Sequence, residues 1–315
     1  MAAQKELSGA GLRGQVAGKT ALSTVGKSGS GLTYRGYDVS ELADKCIFEE
    51  VAYLLLYGNL PTQTELDGYQ TKLKGLRGLP QALKDVLERI PAAAHPMDVL
   101  RTGCSMLGNL ETEMSFDEEN DQADRMLAAF PSIINYWYRF SHDNVRIETE
   151  TDDETIGGHF LHLLKGEKPN ELHTKVMNVS LILYAEHEFN ASTFTARVCA
   201  STLSDIHSCI TGAIGSLRGP LHGGANEAAM DMIEGFSSAD EAETEMMAML
   251  ARKDKIMGFG HAIYSESDPR NVVIKGWAEK LAADVGDEVL YPVSVRCEEV
   301  MWREKKLFCN ADFFH

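Results

Sequence analysis

The sequence predicts an all-α protein with one small β-hairpin near its N-terminus. Apolar residues at helical spacing recur along most of the 315 residues, whereas strand-like alternation is confined to residues 19–39. No regular alternation of strands and helices follows that hairpin. A doubly wound parallel sheet is therefore excluded.

The predicted hairpin comes first, as "KTALSTVGKSGSGLTYRGYDV" with a Gly/Ser-rich turn. The predicted helices are 49–61, 97–107, 122–140, 153–166, 171–189, 192–217, 226–236, 240–255 and 269–286. The first of them is closed by Gly58 and Pro61. The helices 171–189 and 192–217 are apolar on most sides, which predicts burial in a large helical body or at a subunit contact.

Composition limits the class of protein. The chain is 44% hydrophobic and 24% charged, which is ordinary for a globular protein, and it has no apolar run near the roughly 20 residues of a membrane span. The N-terminus has no apolar signal region. We expect a cytoplasmic protein with no membrane partner.

The formal net charge of −17 argues against a nucleic-acid partner, because phosphates need a basic face. It also means that an anionic ligand would need local Arg, Lys or His side chains. The six cysteines are scattered without a CxxC pair, so we expect thiols and neither disulfides nor a metal site.

Two stretches begin well-known motifs without completing them. "AGKT" at 17–20 would need glycine at position 13 to be a phosphate loop, and Arg13 stands there. "HEFNA" at 187–191 would need a second histidine at position 191 to bind zinc, and Ala191 stands there. A turn into the hairpin and a helix end are the simpler interpretations.

"GPLHGGANEAAM" (219–230) places His222 between glycines just ahead of a predicted helix, capped by Asn226 or by the preceding glycines. The partial positive charge of a helix N-terminus disfavours the imidazolium. A neutral imidazole there can donate a hydrogen bond to an enolate, as in triosephosphate isomerase. A turn histidine that satisfies backbone groups is the alternative.

"IMGFGHAIYSESDPRN" (256–271) holds a second glycine-flanked histidine, His261, nine residues before Arg270. Glycine lets the backbone approach a flat ligand, and Arg can clamp a carboxylate with two parallel hydrogen bonds. A structural histidine is again the alternative.

Two further candidates depend on their neighbours. His187 lies with Glu188 at a predicted helix end, where a histidine is also favourable for structural reasons. Asp312, among aromatics in "LFCNADFFH" (307–315), could act as a base with a raised pKa, or could cap a helix or turn.

Taken together, six segments resemble the citrate synthase family in the order in which that family has them, over nearly the whole chain. They are "GLTYRGYDVSELA" (31–43), "EEVAYLLLYGNLP" (49–61), "HEFNAST" (187–193), "GPLHGGANEAAM" (219–230), "MGFGHAIYSESDPR" (257–270) and "NADFFH" (310–315). Within the family, residues 11–38 and the ending "NADFFH" most resemble the 2-methylcitrate synthases.

The resemblance implies a nearly all-α fold with a large dimer-forming helical domain, 1–217, and a small domain, 218–315, that carries most catalytic residues. It implies a homodimeric enzyme that condenses an acyl-CoA with oxaloacetate. The acyl-CoA would be propionyl-CoA, as in propionate catabolism, or alternatively acetyl-CoA. No cofactor is expected, because the CoA thioester is a substrate. A non-catalytic dimeric scaffold of the same fold is the alternative from another class.

The resemblance also implies the roles of individual residues. His222 would stabilise the enol or enolate, His261 would polarise the oxaloacetate ketone, and Asp312 would remove the α-proton. His187 and Arg270 would hold oxaloacetate. The CoA-binding stretch would be Lys255, Ile256, Met257, Gly258, Phe259 and Gly260.

The family pattern places further arginines for the substrate carboxylates after the segment of Asp312, whereas this sequence ends at His315. The resemblance therefore implies a missing C-terminal part of the large domain. We expect a protein ending at His315 to bind oxaloacetate weakly and to turn over poorly.

Overall fold

The computed structural model describes residues 17–26 and 31–315, and this part of the chain is mostly α-helical. Its helices are α1 (Val39–Lys45), α2 (Phe48–Tyr57), α3 (Gln63–Gly75), α4 (Gln81–Leu87), α5 (Pro96–Leu110), α6 (Glu119–Asp143), α7 (Ile156–Lys165), α8 (Glu171–Leu183), α9 (Ala191–Ala200), α10 (Ile206–Leu217), α11 (Gly224–Glu234), α12 (Ala239–Arg252), α13 (Pro269–Val285) and α14 (Leu290–Lys305). The predicted all-α fold class is confirmed.

The strands form one small antiparallel sheet of β1 (Ser23–Thr24), β2 (Thr33–Tyr34) and β3 (Tyr37–Asp38), in the order β1-β2-β3. Ser23 pairs with Tyr34, and Tyr34 also pairs with Tyr37. The predicted hairpin is therefore present, extended by a third strand. Part of its predicted turn, residues 27–30, lies outside the described residues.

Local sequence explains most of the helix boundaries. α2 ends at Gly58, whose φ of 103° is a left-handed conformation that glycine adopts without strain. α13 begins after Asp268, whose side chain accepts from the N–H of Arg270, with Pro269 in the first turn. α3 begins with a capping box between Thr62 and Glu65.

Two sequence predictions about helices are corrected, and one open alternative is decided. The predicted helix 192–217 is two helices, α9 and α10, because Asp205 caps a new start by accepting from the N–H of Ser208. The predicted helix 171–189 ends at Leu183, so His187 lies in the following loop. Of the two alternatives for the start of α11, the cap is Gly223 and not Asn226.

Two hydrophobic clusters form the core. The larger one joins the sheet, α1, α2 and α8 to α11–α14, through buried residues such as Tyr34, Ile182, Ala229 and Val300. The other joins α4, α5, α6 and α10, around Trp137. Burying one large aliphatic side chain contributes roughly 1.5–3 kcal/mol, so these clusters hold the helices that position the site.

Between the clusters, a buried carboxylate fastens three helices. Asp124 of α6 is fully buried and accepts hydrogen bonds from Tyr57 of α2 at 2.5 Å and Tyr69 of α3 at 2.7 Å. Lys72 lies 2.6 Å from the same carboxylate. This carboxylate therefore has the partners that a buried charge requires.

The C-terminal helices pack chiefly on one another: α12, α11 and α13 all contact α14, and α13 also contacts α8 and α1. The division into domains 1–217 and 218–315 remains a prediction. Within 17–26 and 31–315, no helix is long and apolar enough to cross a membrane.

Candidate active site

The loop that links α8 to α9, residues 184–190, lies at the centre of the predicted site. Together with Ser192 at the start of α9, it contacts all three predicted catalytic residues. Tyr184 donates to Asp312 at 2.9 Å, the rings of His187 and His261 meet edge to face at 5.1 Å, and Ser192 contacts His222 at 2.9 Å. Residues far apart in the sequence are thereby brought together.

His222 lies immediately before Gly223, the cap residue of α11. Its Nε2 accepts from the N–H of Ser192 at 3.2 Å, and the Ser192 hydroxyl lies 2.9 Å from the same nitrogen. Because Nε2 accepts, the proton of the neutral ring is assigned to Nδ1. Burial lowers the pKa of His222, so the ring is a neutral donor at neutral pH.

In His261, the ring nitrogen that accepts from the backbone is Nδ1 and not Nε2. Its Nδ1 accepts from the N–H groups of Ile263 at 3.1 Å and Tyr264 at 3.3 Å. The proton of the neutral ring is therefore assigned to Nε2. The two neutral rings therefore carry their protons on different nitrogens, and backbone N–H groups determine which one.

Asp312 lies in a turn that several hydrogen bonds hold. Its N–H donates to Asn310 Oδ1 at 3.0 Å, and its carbonyl accepts from Asn226 of α11 at 3.0 Å. Burial raises the pKa of the Asp312 carboxyl, while Tyr184 and Arg270 oppose that rise. A carboxylate that is partly desolvated is a stronger base than one in water.

His187 and Arg270 are also in the site. His187 Nε2 lies 3.0 Å from the Tyr264 hydroxyl, and burial, Arg270 and His261 lower the pKa of His187 to about 3. Arg270 is only 7% exposed and pairs through Nε and Nη2 with Asp268, at 3.0 and 2.7 Å.

The predicted CoA-binding stretch is held against the segment of Asp312. Gly260 donates to the carbonyl of Phe308 at 2.8 Å, and Asn310 donates to the carbonyl of Gly258 at 3.0 Å. Gly258 has a φ of +85°, and a Cβ there would come within 2.7 Å of the Phe313 ring. The turn and the predicted base therefore form one local unit.

Basic side chains that the sequence reasoning missed adjoin this unit. Arg303, Lys305 and Lys306 are exposed at the end of α14, directly before the segment that pairs with the turn. In a chain of net charge −17, a run with three basic residues in four is a signal that could have identified them.

Sequence reasoning also missed Tyr184, Ser192, Tyr264 and Asp268. Only Asp268 had a local signal, an Asp-Pro pair before a helix. Tyr184, Ser192 and Tyr264 each contact a predicted site residue that lies at least 30 positions away in the sequence. No local sequence pattern specifies contacts of that kind.

Other features of the described residues lie apart from this site. Two surface cavities of about 430 and 420 Å³ have linings that include none of the predicted site residues. Within 17–26 and 31–315, no group of three or more His, Cys, Asp or Glu residues could hold a metal ion.

Comparison with known proteins gives consistent matches. The family model "Citrate synthase, C-terminal domain" matches residues 11–315. A 2-methylcitrate synthase of Shewanella oneidensis is 74% identical over all of this chain and 84% of its own length. Citrate synthase 2 of Bacillus subtilis is 40% identical over 96% of this chain and 82% of its own length.

Among solved structures, the chain resembles a citrate synthase from Thermoplasma acidophilum, determined as a ternary complex with carboxymethyl coenzyme A and oxaloacetate. The TM-score is 0.90 at 31% identity, covering 99% of this chain and 83% of that one.

Proposed function

The chain belongs to the citrate synthase family, and on that premise we propose that it condenses propionyl-CoA with oxaloacetate and water to give 2-methylcitrate and CoA. It is an acyltransferase-type enzyme. The observation that carries the proposal is the segment 184–192, which contacts Asp312, His261 and His222 at once. The 74% identity to a 2-methylcitrate synthase supports propionyl-CoA as the thioester.

The first step is removal of the α-proton of the thioester by the carboxylate of Asp312. That proton is far too weakly acidic for a carboxylate unless the charge on the thioester oxygen is stabilised as it develops. The Nδ1–H of His222 supplies a donor that is neutral and already oriented by Ser192. The product of this step is an enol or enolate.

The second step is attack of the enol carbon on the ketone carbon of oxaloacetate. His187 and Arg270 hold the carboxylates, and the Nε2–H of His261 polarises the ketone oxygen and gives it the proton of the product hydroxyl. The proton that Asp312 took up balances the one that His261 gave up, and both groups are reset before the next turnover. Water then cleaves the C–S bond, leaving a carboxylate on the product and releasing the CoA thiol. Excluding water until the carbon–carbon bond has formed prevents simple hydrolysis of the thioester.

CoA would lie along residues 255–260, where Gly258 and Gly260 give a close backbone approach. The exposed Lys305 and Lys306 would meet its phosphates, whereas Arg303 pairs with Glu243 and Glu304. The two lysines supply the local positive charge that an acidic protein needs for a polyanionic substrate.

A second copy of the chain would cover α9. None of the residues of Ala191–Ala200 is buried, although the helix carries Phe194 and Val198, and Val198 is 53% exposed. We expect light scattering to give a dimer that Val198→Glu converts to a monomer. A monomeric wild-type protein at micromolar concentration would contradict the dimer.

The experiment that tests the reaction is release of CoA thiol in the presence of a thioester with and without oxaloacetate. We expect release only with both substrates, loss of turnover in His222→Ala, and normal turnover in His142→Ala, which removes an exposed imidazole elsewhere. A non-catalytic scaffold would release no thiol in any variant.

The alternative within enzymes is a citrate synthase that prefers acetyl-CoA or uses both thioesters. One methylene is worth only about 1–3 kcal/mol of discrimination, so overlapping activity with acetyl-CoA is expected.

A further inference from the structure

The N-terminal sheet contacts the loop of His187 through the hydroxyl of Ser23. We infer that Ser23 is a positioning residue that sets the place of the His187 imidazole for oxaloacetate, an inference that rests on the proposed function. Ser23 belongs to β1, and no sequence motif singled it out.

The hydroxyl of Ser23 bridges the two residues that flank His187. It donates to Glu186 Oε1 at 3.0 Å and accepts from the N–H of Glu188 at 3.1 Å. Ser23 is only 5% exposed, so water cannot readily take over either bond. The side chain of the residue before His187 and the backbone N–H of the residue after it are thereby tied to one atom of the sheet.

The backbone of Glu188 has an unfavourable conformation that the hydrogen bond to Ser23 helps to maintain. Its φ of +54° lies in the left-handed region, which is uncommon for a residue other than glycine. Such a conformation persists only where the surroundings hold it. The hydroxyl of Ser23 provides that hold by accepting the N–H of Glu188 itself.

Tyr34 supplies a second anchor from the same sheet. It is the pairing partner of Ser23, and its buried hydroxyl donates to the carbonyl of Ile182 at 2.9 Å, at the end of α8. Ser23 and Tyr34 thus hold the start and the middle of the loop.

Loss of the Ser23 hydroxyl would leave the N–H of Glu188 and the carboxylate of Glu186 without this partner, and would allow the imidazole to move from its place beside Tyr264 and His261. Weakening one hydrogen bond to a charged group costs about tenfold in affinity. Because His187 is proposed to bind oxaloacetate and not CoA, the effect should fall on oxaloacetate. We expect about a tenfold weaker Kd and KM for oxaloacetate, with kcat and the KM for the acyl-CoA within twofold.

The test compares Ser23→Ala, Ser23→Thr and Ser23→Val with the wild-type protein. Thr and Val have the same shape and both suit a strand, but only Thr keeps the hydroxyl. We expect Ser23→Thr to retain oxaloacetate binding, measured by calorimetry, and Ser23→Val to lose it to the extent that Ser23→Ala does. If Ser23→Ala does not fold, the Thr and Val pair alone decides the question.

Thr24→Ala is the matched control. Thr24 is the next residue of β1 and is exposed, and its hydroxyl lies 2.7 Å from that of Thr33 and donates to the carbonyl of Gly31 at 3.4 Å. We expect unchanged oxaloacetate affinity in this variant. Equal affinity in Ser23→Thr and Ser23→Val, or an equal loss in Thr24→Ala, would overturn the inference.

Failure of the proposed function gives a different result. If the wild-type protein neither binds oxaloacetate nor releases thiol with it, the proposed function fails, and the role of Ser23 fails with it. If the wild-type protein does both and the Ser23 variants behave like it, only the inference about Ser23 fails.

Discussion

The hydroxyl of Tyr184 donates a 2.9 Å hydrogen bond to Oδ1 of Asp312, although the two residues are 128 positions apart. Burial and the nearby Asp312 charge raise the pKa of Tyr184, so this hydroxyl stays protonated and acts as the donor. The contact joins the end of α8 to the predicted base, and it lowers the pKa of Asp312 against the effect of burial.

Tyr184→Phe should therefore raise the pKa of Asp312. Asp312 must be ionised to act as a base, so activity is lost as pH falls through this pKa. The acid limb of the kcat profile should move to higher pH by about one unit, the size expected for a hydrogen bond to a charged group. Tyr138→Phe, at a partly exposed tyrosine of α6, is the control, and equal acid limbs in both variants would contradict the assignment.

Ser192 is predicted to act on His222 mainly through its backbone. Ser192→Ala removes the hydroxyl but keeps the N–H that Nε2 accepts, so kcat should fall only about three- to tenfold. Ser192→Pro removes that N–H in the first turn of α9, where proline is tolerated, and kcat should fall about a hundredfold. Steady-state kinetics with saturating oxaloacetate measure both values, and similar kcat in the two variants would count against the assigned tautomer.

Gly258→Ala should weaken acyl-CoA binding. The added Cβ would meet the Phe313 ring at 2.7 Å in a left-handed conformation, so the turn against Asp312 must shift. The control is Gly286→Ala, which has a similar φ of +67° and nothing within 4 Å. Both variants should lose about 1 kcal/mol of unfolding free energy through strain, but only Gly258→Ala should raise the KM for the thioester.

Glu49 is predicted to make stability depend on pH. It is 1% exposed, its Oε1 accepts from the N–H of Ile156 at 2.6 Å, and burial raises its pKa to about 7. Because the folded protein binds this proton more tightly than the unfolded chain does, the protonated carboxyl stabilises the folded protein. The stabilisation is complete below the unfolded-state pKa of about 4.5 and is lost as the pH rises through the folded-state pKa of about 7.

Glu49→Gln keeps an acceptor for Ile156 and removes the charge. Between pH 5 and 8, the unfolding free energy of the wild-type protein should decline by roughly 2–3 kcal/mol more than that of the variant. Urea unfolding followed by circular dichroism measures the difference. Glu41→Gln, an exposed residue of α1, should follow the wild-type curve, and if Glu49→Gln follows it as well, Glu49 is not the group responsible.

The sequence predicted those parts of the fold that depend on residues close together in the chain. The fold class, the left-handed end of α2 at Gly58 and the helix start after His222 all followed from spacing and glycine positions. The start of α3 had an equally clear local signal, Thr62 and Glu65 in a capping box, which the spacing argument overlooked. The break before α10 had one as well, in the helix cap Asp205.

Only those site residues could be predicted whose side-chain type itself indicates catalysis or ligand binding. His222, His261, Asp312, His187 and Arg270 stand out because imidazole, carboxylate and guanidinium groups beside glycine are unusual. Tyr184, Ser192 and Ser23 look like ordinary core or helix residues, and their importance arises from hydrogen bonds across 30 to 165 positions. Such contacts exist only once tertiary packing is formed.

The measurement that tests the central claim most directly is kcat/KM for propionyl-CoA and acetyl-CoA, measured side by side with saturating oxaloacetate, with the product identified by mass spectrometry. We expect oxaloacetate-dependent thiol release with both thioesters, a higher kcat/KM for propionyl-CoA, and 2-methylcitrate as its product. A clear preference for acetyl-CoA would contradict the proposed substrate, and no thiol release with either thioester would contradict the proposed reaction.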